Sequence, residues 1–146
     1  MAVGAYLTRA YLIDTTVYSH ARRGRQWAAD LLEESDHLGI STVSLGELLA
    51  GFKVGSKTEN NRKILYEFLD EPRVQIYPVS ERTAEFYAEI YRNLRKQGTP
   101  IPTNDMWIAA TAQENGLVLA SHDRHFEDIP GLICRIGSWV RAAPYV

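Results

Sequence analysis

The chain has 146 residues, 45% of them hydrophobic and 23% charged, which suits one globular domain with a core of its own. Its formal net charge of −2 is not that of a strongly basic nucleic-acid binder, though acids gathered in a site with bases on its rim would give the same total. No apolar run approaches membrane-spanning length, the opening residues lack a signal peptide's charged-then-apolar layout, and a single cysteine rules out an intrachain disulfide.

Residues 1–9 read as a leader with no assigned role, and residues 10–146 as the domain. A strand is predicted at Ala10–Ile13, then helices at Thr15–Arg22 and Gln26–Glu34, separated near Gly24. A short strand follows at Leu38–Ser41, then helices at Thr42–Phe52 and Asn60–Leu69. Arg73–Tyr77 reads as a strand closed by Pro78. From Ser80 to Lys96 the apolar residues Ala84, Tyr87, Ile90, Tyr91 and Leu94 recur at helical spacing, with Ser80 as the expected N-cap and Gly98 as the stop. Beyond the stiff loop Thr99–Pro102 comes an Ala-rich helix, Asn104–Asn115, ended by Gly116. Leu117–Ala120 is wholly apolar, as in a strand buried on both faces, and Ile133–Ile136 is the last expected strand. Short strands alternating with longer amphipathic stretches predict an α/β domain with a mostly parallel sheet. Cys134, among Leu132, Ile133 and Ile136, reads as a small buried hydrophobe, and a free thiol suits a reducing cytoplasm.

Four acids stand out by position. Asp14 follows Tyr11-Leu12-Ile13 at the carboxyl end of a buried strand, the edge where open α/β sheets bind ligands; the competing reading is an N-cap for the next helix. Asp123 follows the second apolar strand in the same way, against a competing reading as turn chemistry. Asp105 lies in the first turn of the Ala-rich helix, where a carboxylate is favourable to the helix dipole in any case. Glu47 could close a capping box with Ser44, but Ser41 or Thr42 is the better cap and leaves Glu47 inside a helix beside Leu45, Leu48, Leu49 and Phe52. Acids gathered with no basic partner call for a hard divalent cation, Mg²⁺ or Mn²⁺. His122 and His125 bracket Asp123 and read as rim or packing groups, short of the ligand set that zinc takes.

The segments LIDTTVYS (12–19), ISTVSLGELLAG (40–51) and IPTNDMWIAATAQENGLVLASHDRHFEDIPGL (101–132) resemble the successive motifs of PIN domains, and the likeness runs over about residues 10–137. Within that family the chain resembles the toxins of VapBC toxin–antitoxin pairs. The resemblance implies a five-stranded parallel sheet of order 3-2-1-4-5 flanked by helices, with the topological switch between the first and fourth strands. It implies an Mg²⁺- or Mn²⁺-dependent endoribonuclease whose catalytic acids fall on Asp14, Glu47, Asp105 and Asp123. Asp14, Asp105 and Asp123 would hold metal, with Thr15, Asn104 and Ser121 holding the acids in place; Glu47 would bind metal or act as base. It also implies an antitoxin partner, an RNA substrate and a cytoplasmic setting, to which a two-fold dimer is added as the commonest closed oligomer. Two departures are the longer leader and an extra acid, Asp128, near the site.

The apolar stripe Leu45, Leu48, Leu49 and Phe52 exceeds what one helix face needs, so part of it is expected to meet a partner. Arg22, Arg23 and Arg25, and Arg92, Arg95 and Lys96, are candidate RNA contacts or solvated helix ends. Trp107 is expected in the core, and Trp27 is open to packing or stacking on a base. A dehalogenase-type phosphatase would need an Asp where Thr16 stands, and no glycine-rich phosphate loop follows the first strand. The remaining rival is an inactive PIN scaffold that only binds a partner.

Overall fold

The computed structural model describes residues 9–137; most of the expected leader, and the stretch 138–146 of the expected domain, lie outside the described residues. Five strands, β1 Ala10–Ile13, β2 His37–Ser41, β3 Val74–Tyr77, β4 Val118–Ser121 and β5 Cys134–Ile136, form one sheet of order β3-β2-β1-β4-β5. Every adjacent pair is parallel, as the resemblance implied. Among the described residues six α-helices flank it: α1 Thr15–Arg22, α2 Gln26–Glu34, α3 Thr42–Val54, α4 Thr58–Leu69, α5 Glu81–Gln97 and α6 Thr103–Glu114.

Alternation along the strands sends side chains to two cores. Leu12 of β1 and Leu119 of β4 face one of them, with Ile90 and Leu94 of α5, Ile108 of α6 and Phe126. Their neighbours Tyr11, Ile13 and Ala120 face the other, with Val17, Leu31, Leu48 and Leu65 from α1 to α4. A sheet covered on both faces needs strands that are apolar throughout, which is why β1 and β4 read as unbroken hydrophobic runs. The second core takes part of the stripe on α3: Leu48 is buried, and Leu45, Leu49 and Phe52 pack against that core while remaining half-buried.

The helix signals held where side chains act as caps. Ser80 caps α5 and forms a reciprocal box with Thr83, and Gly98 ends that helix in the left-handed region at φ 71°. Boundaries shifted where side chains make longer connections. α4 begins at Thr58 rather than Asn60, and the Thr58 hydroxyl donates to the Phe52 carbonyl at 2.6 Å, tying the two helices together. β3 begins at Val74, and Arg73 turns its guanidinium to the Leu32 and Ser35 carbonyls.

One position in β2 tolerates no side chain. A Cβ on Gly39 would stand 2.6 Å from Tyr77 Cε1 and 3.1 Å from Leu12 Cδ1. The Tyr77 ring cannot swing away freely, since its hydroxyl is hydrogen-bonded to His37 at 2.7 Å. Gly39→Ala is expected to lower stability by about 1–3 kcal/mol, the range for overpacking. Urea unfolding measures it, and an unchanged midpoint would show that the ring yields without cost.

Candidate active site

Parallel register builds the site. Ile13 pairs with Ala120 across β1 and β4, and the Asp14 amide donates to the Ala120 carbonyl at 3.2 Å. Asp14 and Ser121 therefore arrive together at the carboxyl edge, on the switch point of the sheet. Around it opens a cleft of about 520 Å³ lined by Asp14, Glu47, Asp105, Asp123 and His125 with Thr15, Thr16 and Asn104. All four expected acids face this one cleft, and among the described residues its lining holds no lysine or arginine.

Asp14 is 2% exposed and satisfies both readings of its position. Its Oδ1 caps α1, accepting from the amides of Thr16 and Val17 and from the Thr16 hydroxyl. Among the described residues, its Oδ2 accepts from the Ser121 hydroxyl alone. An ionised carboxylate oxygen offers about two lone-pair sites, so Oδ2 keeps one for a further partner. Burial lifts the Asp14 pKa to about 6, against the pull of the Ser121, Thr16 and Val17 hydrogen bonds, and the Asp123 charge adds to the rise. Removal from water is thus a larger cause of the rise than repulsion from the neighbouring acid.

Asp123 stands at the head of a 3₁₀ helix, Arg124–Asp128, yet its side chain makes no capping hydrogen bond, so turn chemistry does not account for it. The Ser121 hydroxyl, besides donating to Asp14, accepts from the Asp123 amide at 2.9 Å and so fixes both strand-end acids. Glu47 is no cap either, because Ser41 caps α3 by accepting from the Ser44 amide. One Glu47 oxygen accepts from the Thr15 hydroxyl at 3.2 Å and the other from Asn104 Nδ2 at 3.5 Å.

Asp105 lies in the first turn of α6 as expected, and its Oδ2 stands 2.6 Å from His125 Nε2. Burial raises its pKa, the His125 hydrogen bond and charge lower it, and Asp123 raises it further. This contact corrects the reading of His125 as a rim or packing group. Asp105, Asp123 and His125 bring one ligand atom each to within 4.8 Å of one another; Asp14 and Glu47 share the cleft but not that trio. Two residues escaped the sequence. His125 sits on a 3₁₀ turn whose side-chain directions no periodicity gives away. Thr16 was weighed only as a departure from another family, while Thr15 and Ser121 drew attention beside the acids.

The flanking groups divide. His122 is exposed and stacks on Trp27 at 5.6 Å with 22° between rings, beside His20 at 4.6 Å. Trp107 is half-buried and stacked on Tyr87 at 4.1 Å, so it packs between helices rather than deep in the core. Arg22, Arg23 and Arg25 are exposed at the α1–α2 turn. Arg92 pairs with Glu89, and Arg95 donates to the Tyr91 hydroxyl. Asp128 is exposed and absent from the cleft lining, and its carbonyl accepts from Gln97. None of the described helices is long and apolar enough to cross a membrane.

Comparison with known proteins places this geometry. The PIN domain family model matches residues 11–132. The chain is 30% identical over 133 residues to the ribonuclease VapC2 of Haemophilus influenzae, covering 89% of this chain and 98% of that protein. The solved VapBC2 structure from Rickettsia felis, bound to a DNA fragment from its promoter, superposes with a TM-score of 0.79 at 27% identity, over 88% of this chain and 98% of that one. VapBC-1 from nontypeable Haemophilus influenzae gives 0.77 at 26%, over 87% and 97%.

Proposed function

The chain belongs to the PIN-domain family and to its VapC branch, and on that premise we propose that it is the ribonuclease toxin of a toxin–antitoxin pair. In this reading it is an endoribonuclease that hydrolyses RNA phosphodiesters with the help of Mg²⁺ or Mn²⁺. The observation that carries the reading is the convergence of Asp14, Glu47, Asp105 and Asp123 in one cleft with no lysine or arginine among its described lining. Two unit charges about 5 Å apart repel by roughly 3 kcal/mol at an effective dielectric of 20, so acids this close need protons or a cation.

The donor set fits a hard divalent ion: carboxylate oxygens dominate, Asp14 Oδ2 retains an open lone pair, and Asp123 is not spent on a cap. Asp14, Asp105 and Asp123 would hold the ion. Such an ion supplies positive charge to the phosphoryl group and acidity to the attacking water. The rest falls to the chain. Thr16, Val17 and Ser121 hold the Asp14 carboxylate at the cleft floor, and Thr15 and Asn104 fix Glu47, one oxygen each. So held, Glu47 is placed to accept a proton from a water crossing the cleft.

Antitoxin binding, a two-fold dimer and a cytoplasmic setting complete the proposal; the VapBC assemblies among the similar structures support the partner. On a mixed pool of cellular RNA the purified protein should cut with Mg²⁺ or Mn²⁺ and stop cutting in EDTA. Cleavage that persists in EDTA overturns the metal requirement. Binding of a partner with no cleavage under either ion favours the inactive scaffold.

A further inference from the structure

We propose that His125 is a metal ligand, its Nε2 joining the carboxylates of Asp105 and Asp123 to bias this cleft toward first-row transition-metal ions over Mg²⁺. The inference rests on the metal-dependent reading above and goes beyond it, because an imidazole nitrogen adds to whatever preference an all-oxygen site would have.

The geometry singles out this histidine. His125 Nε2 lies 2.6 Å from Asp105 Oδ2, and the three ligand atoms of Asp105, Asp123 and His125 fall within 4.8 Å of one another. Around a small divalent ion with bonds of about 2.1 Å, adjacent ligands are about 3.0 Å apart and opposite ones about 4.2 Å, so a slight opening of the His125–Asp105 pair and a modest approach of Asp123 bring all three onto one ion. Ligation takes the tautomer with its proton on Nδ1, which leaves the Nε2 lone pair in the ring plane for metal. The ring lies 5.1 Å from that of Phe126, the next residue, which is fully buried in the core. The other histidines near the cleft are placed differently. His20 and His122 face each other and Trp27, and neither belongs to the trio.

The chemical consequence follows from donor type. Mg²⁺ takes oxygen and keeps its waters, whereas imidazole nitrogen suits the later divalent transition ions. Exchanging one oxygen for a nitrogen leaves Mg²⁺ little changed and strengthens ions such as Co²⁺.

Calorimetric titration of the RNA-free protein with CoCl₂ and, separately, MgCl₂ tests this. Wild type should bind Co²⁺ more tightly than Mg²⁺. His125→Ala should weaken Co²⁺ by about 10–100-fold and Mg²⁺ by less than about threefold. His125→Gln places an amide near the Nε2 position, able to donate to Asp105 but offering metal only a carbonyl oxygen in place of the imidazole nitrogen, so it should lose the Co²⁺ preference as His125→Ala does. His122→Ala should match wild type. Wild-type Co²⁺ affinity in the Gln variant, or an equal fall for both ions in the Ala variant, would show that His125 only positions Asp105. Loss of Co²⁺ binding in His122→Ala would move the site to the His20–His122 pair. Either result overturns the ligand role while leaving the nuclease reading intact; absence of binding by both ions in wild type would overturn both.

Discussion

Asp14→Asn is expected to abolish RNA cleavage and, at neutral pH, to make the protein more stable than wild type. The first effect follows from its place: Asp14 sits on the switch point, and its Oδ2 is the atom left open to the cleft. Removing that charge forfeits several kcal/mol of phosphoryl and water activation, about a thousandfold or more in rate. The second effect follows from burial. The pKa of Asp14 rises from 3.8 to about 6, so the fold favours its protonated form. That contribution to stability is fully present below about pH 3.8 and is lost as pH rises through about 6. At pH 7 the wild type carries an ionised Asp14 at a cost of about 3 kcal/mol, taken at 1.36 kcal/mol per pKa unit. Asn keeps an acceptor for the Thr16 and Val17 amides and carries no charge, but its amide forces Ser121 to reverse its hydroxyl, so a net gain of about 1–2 kcal/mol is expected. Urea unfolding at pH 5, 7 and 8 reads it: the mutant's advantage should widen from pH 5 to 7 and shrink when Mg²⁺ stabilises the wild type. A mutant less stable than wild type at pH 7, or an advantage flat across pH, would mean that the burial of Asp14 does not govern its titration.

This opposition between site and fold explains what the sequence could and could not reveal. Asp14 and Asp123 were legible because each follows an unbroken apolar run, Asp14 directly and Asp123 after Ser121 and His122, and both acids share an edge if the two strands are neighbours. The order of those strands came from family motifs rather than from periodicity. Glu47 was legible as something other than a cap, because Ser41 was available to do that work. What stayed hidden depended on side-chain direction. The stripe on α3 is one apolar face in the sequence, but in the fold only Leu48 is buried, while Leu45, Leu49 and Phe52 are half-buried against the second core. His125 looked like one of a pair with His122, but the turn between them sends His122 onto Trp27 and His125 onto Asp105. The leading cause of the rise in the Asp14 pKa is burial, which depends on how the chain packs around a strand end and not on the spacing of acids along it.

Phe126→Ala is expected to destabilise the domain by about 3–5 kcal/mol, in line with other buried Phe truncations. The ring is fully buried in the core that holds Leu12, Ile108 and Leu119. Within the 3₁₀ turn Arg124–Asp128 it is the sole buried residue, since Arg124, Glu127 and Asp128 are exposed and His125 is half-buried. The segment carrying Asp123 and His125 is thus pinned to the core at one point inside the turn, with Ile129 just beyond it. A loss of 3–5 kcal/mol is a large share of a domain's typical 5–15 kcal/mol and should lower Tm by roughly 6–20 °C. A second effect separates anchoring from stability alone. At a temperature where the variant is still folded, a shift of about 1 Å in Asp123 should slow cleavage by roughly 10²-fold. Phe126→Leu refills most of the volume and should recover most of both losses. Thermal unfolding followed by cleavage assays on the folded protein distinguishes the two effects. If Phe126→Ala melts low yet cuts at the wild-type rate while folded, the turn is held by its own backbone and Phe126 serves the core alone.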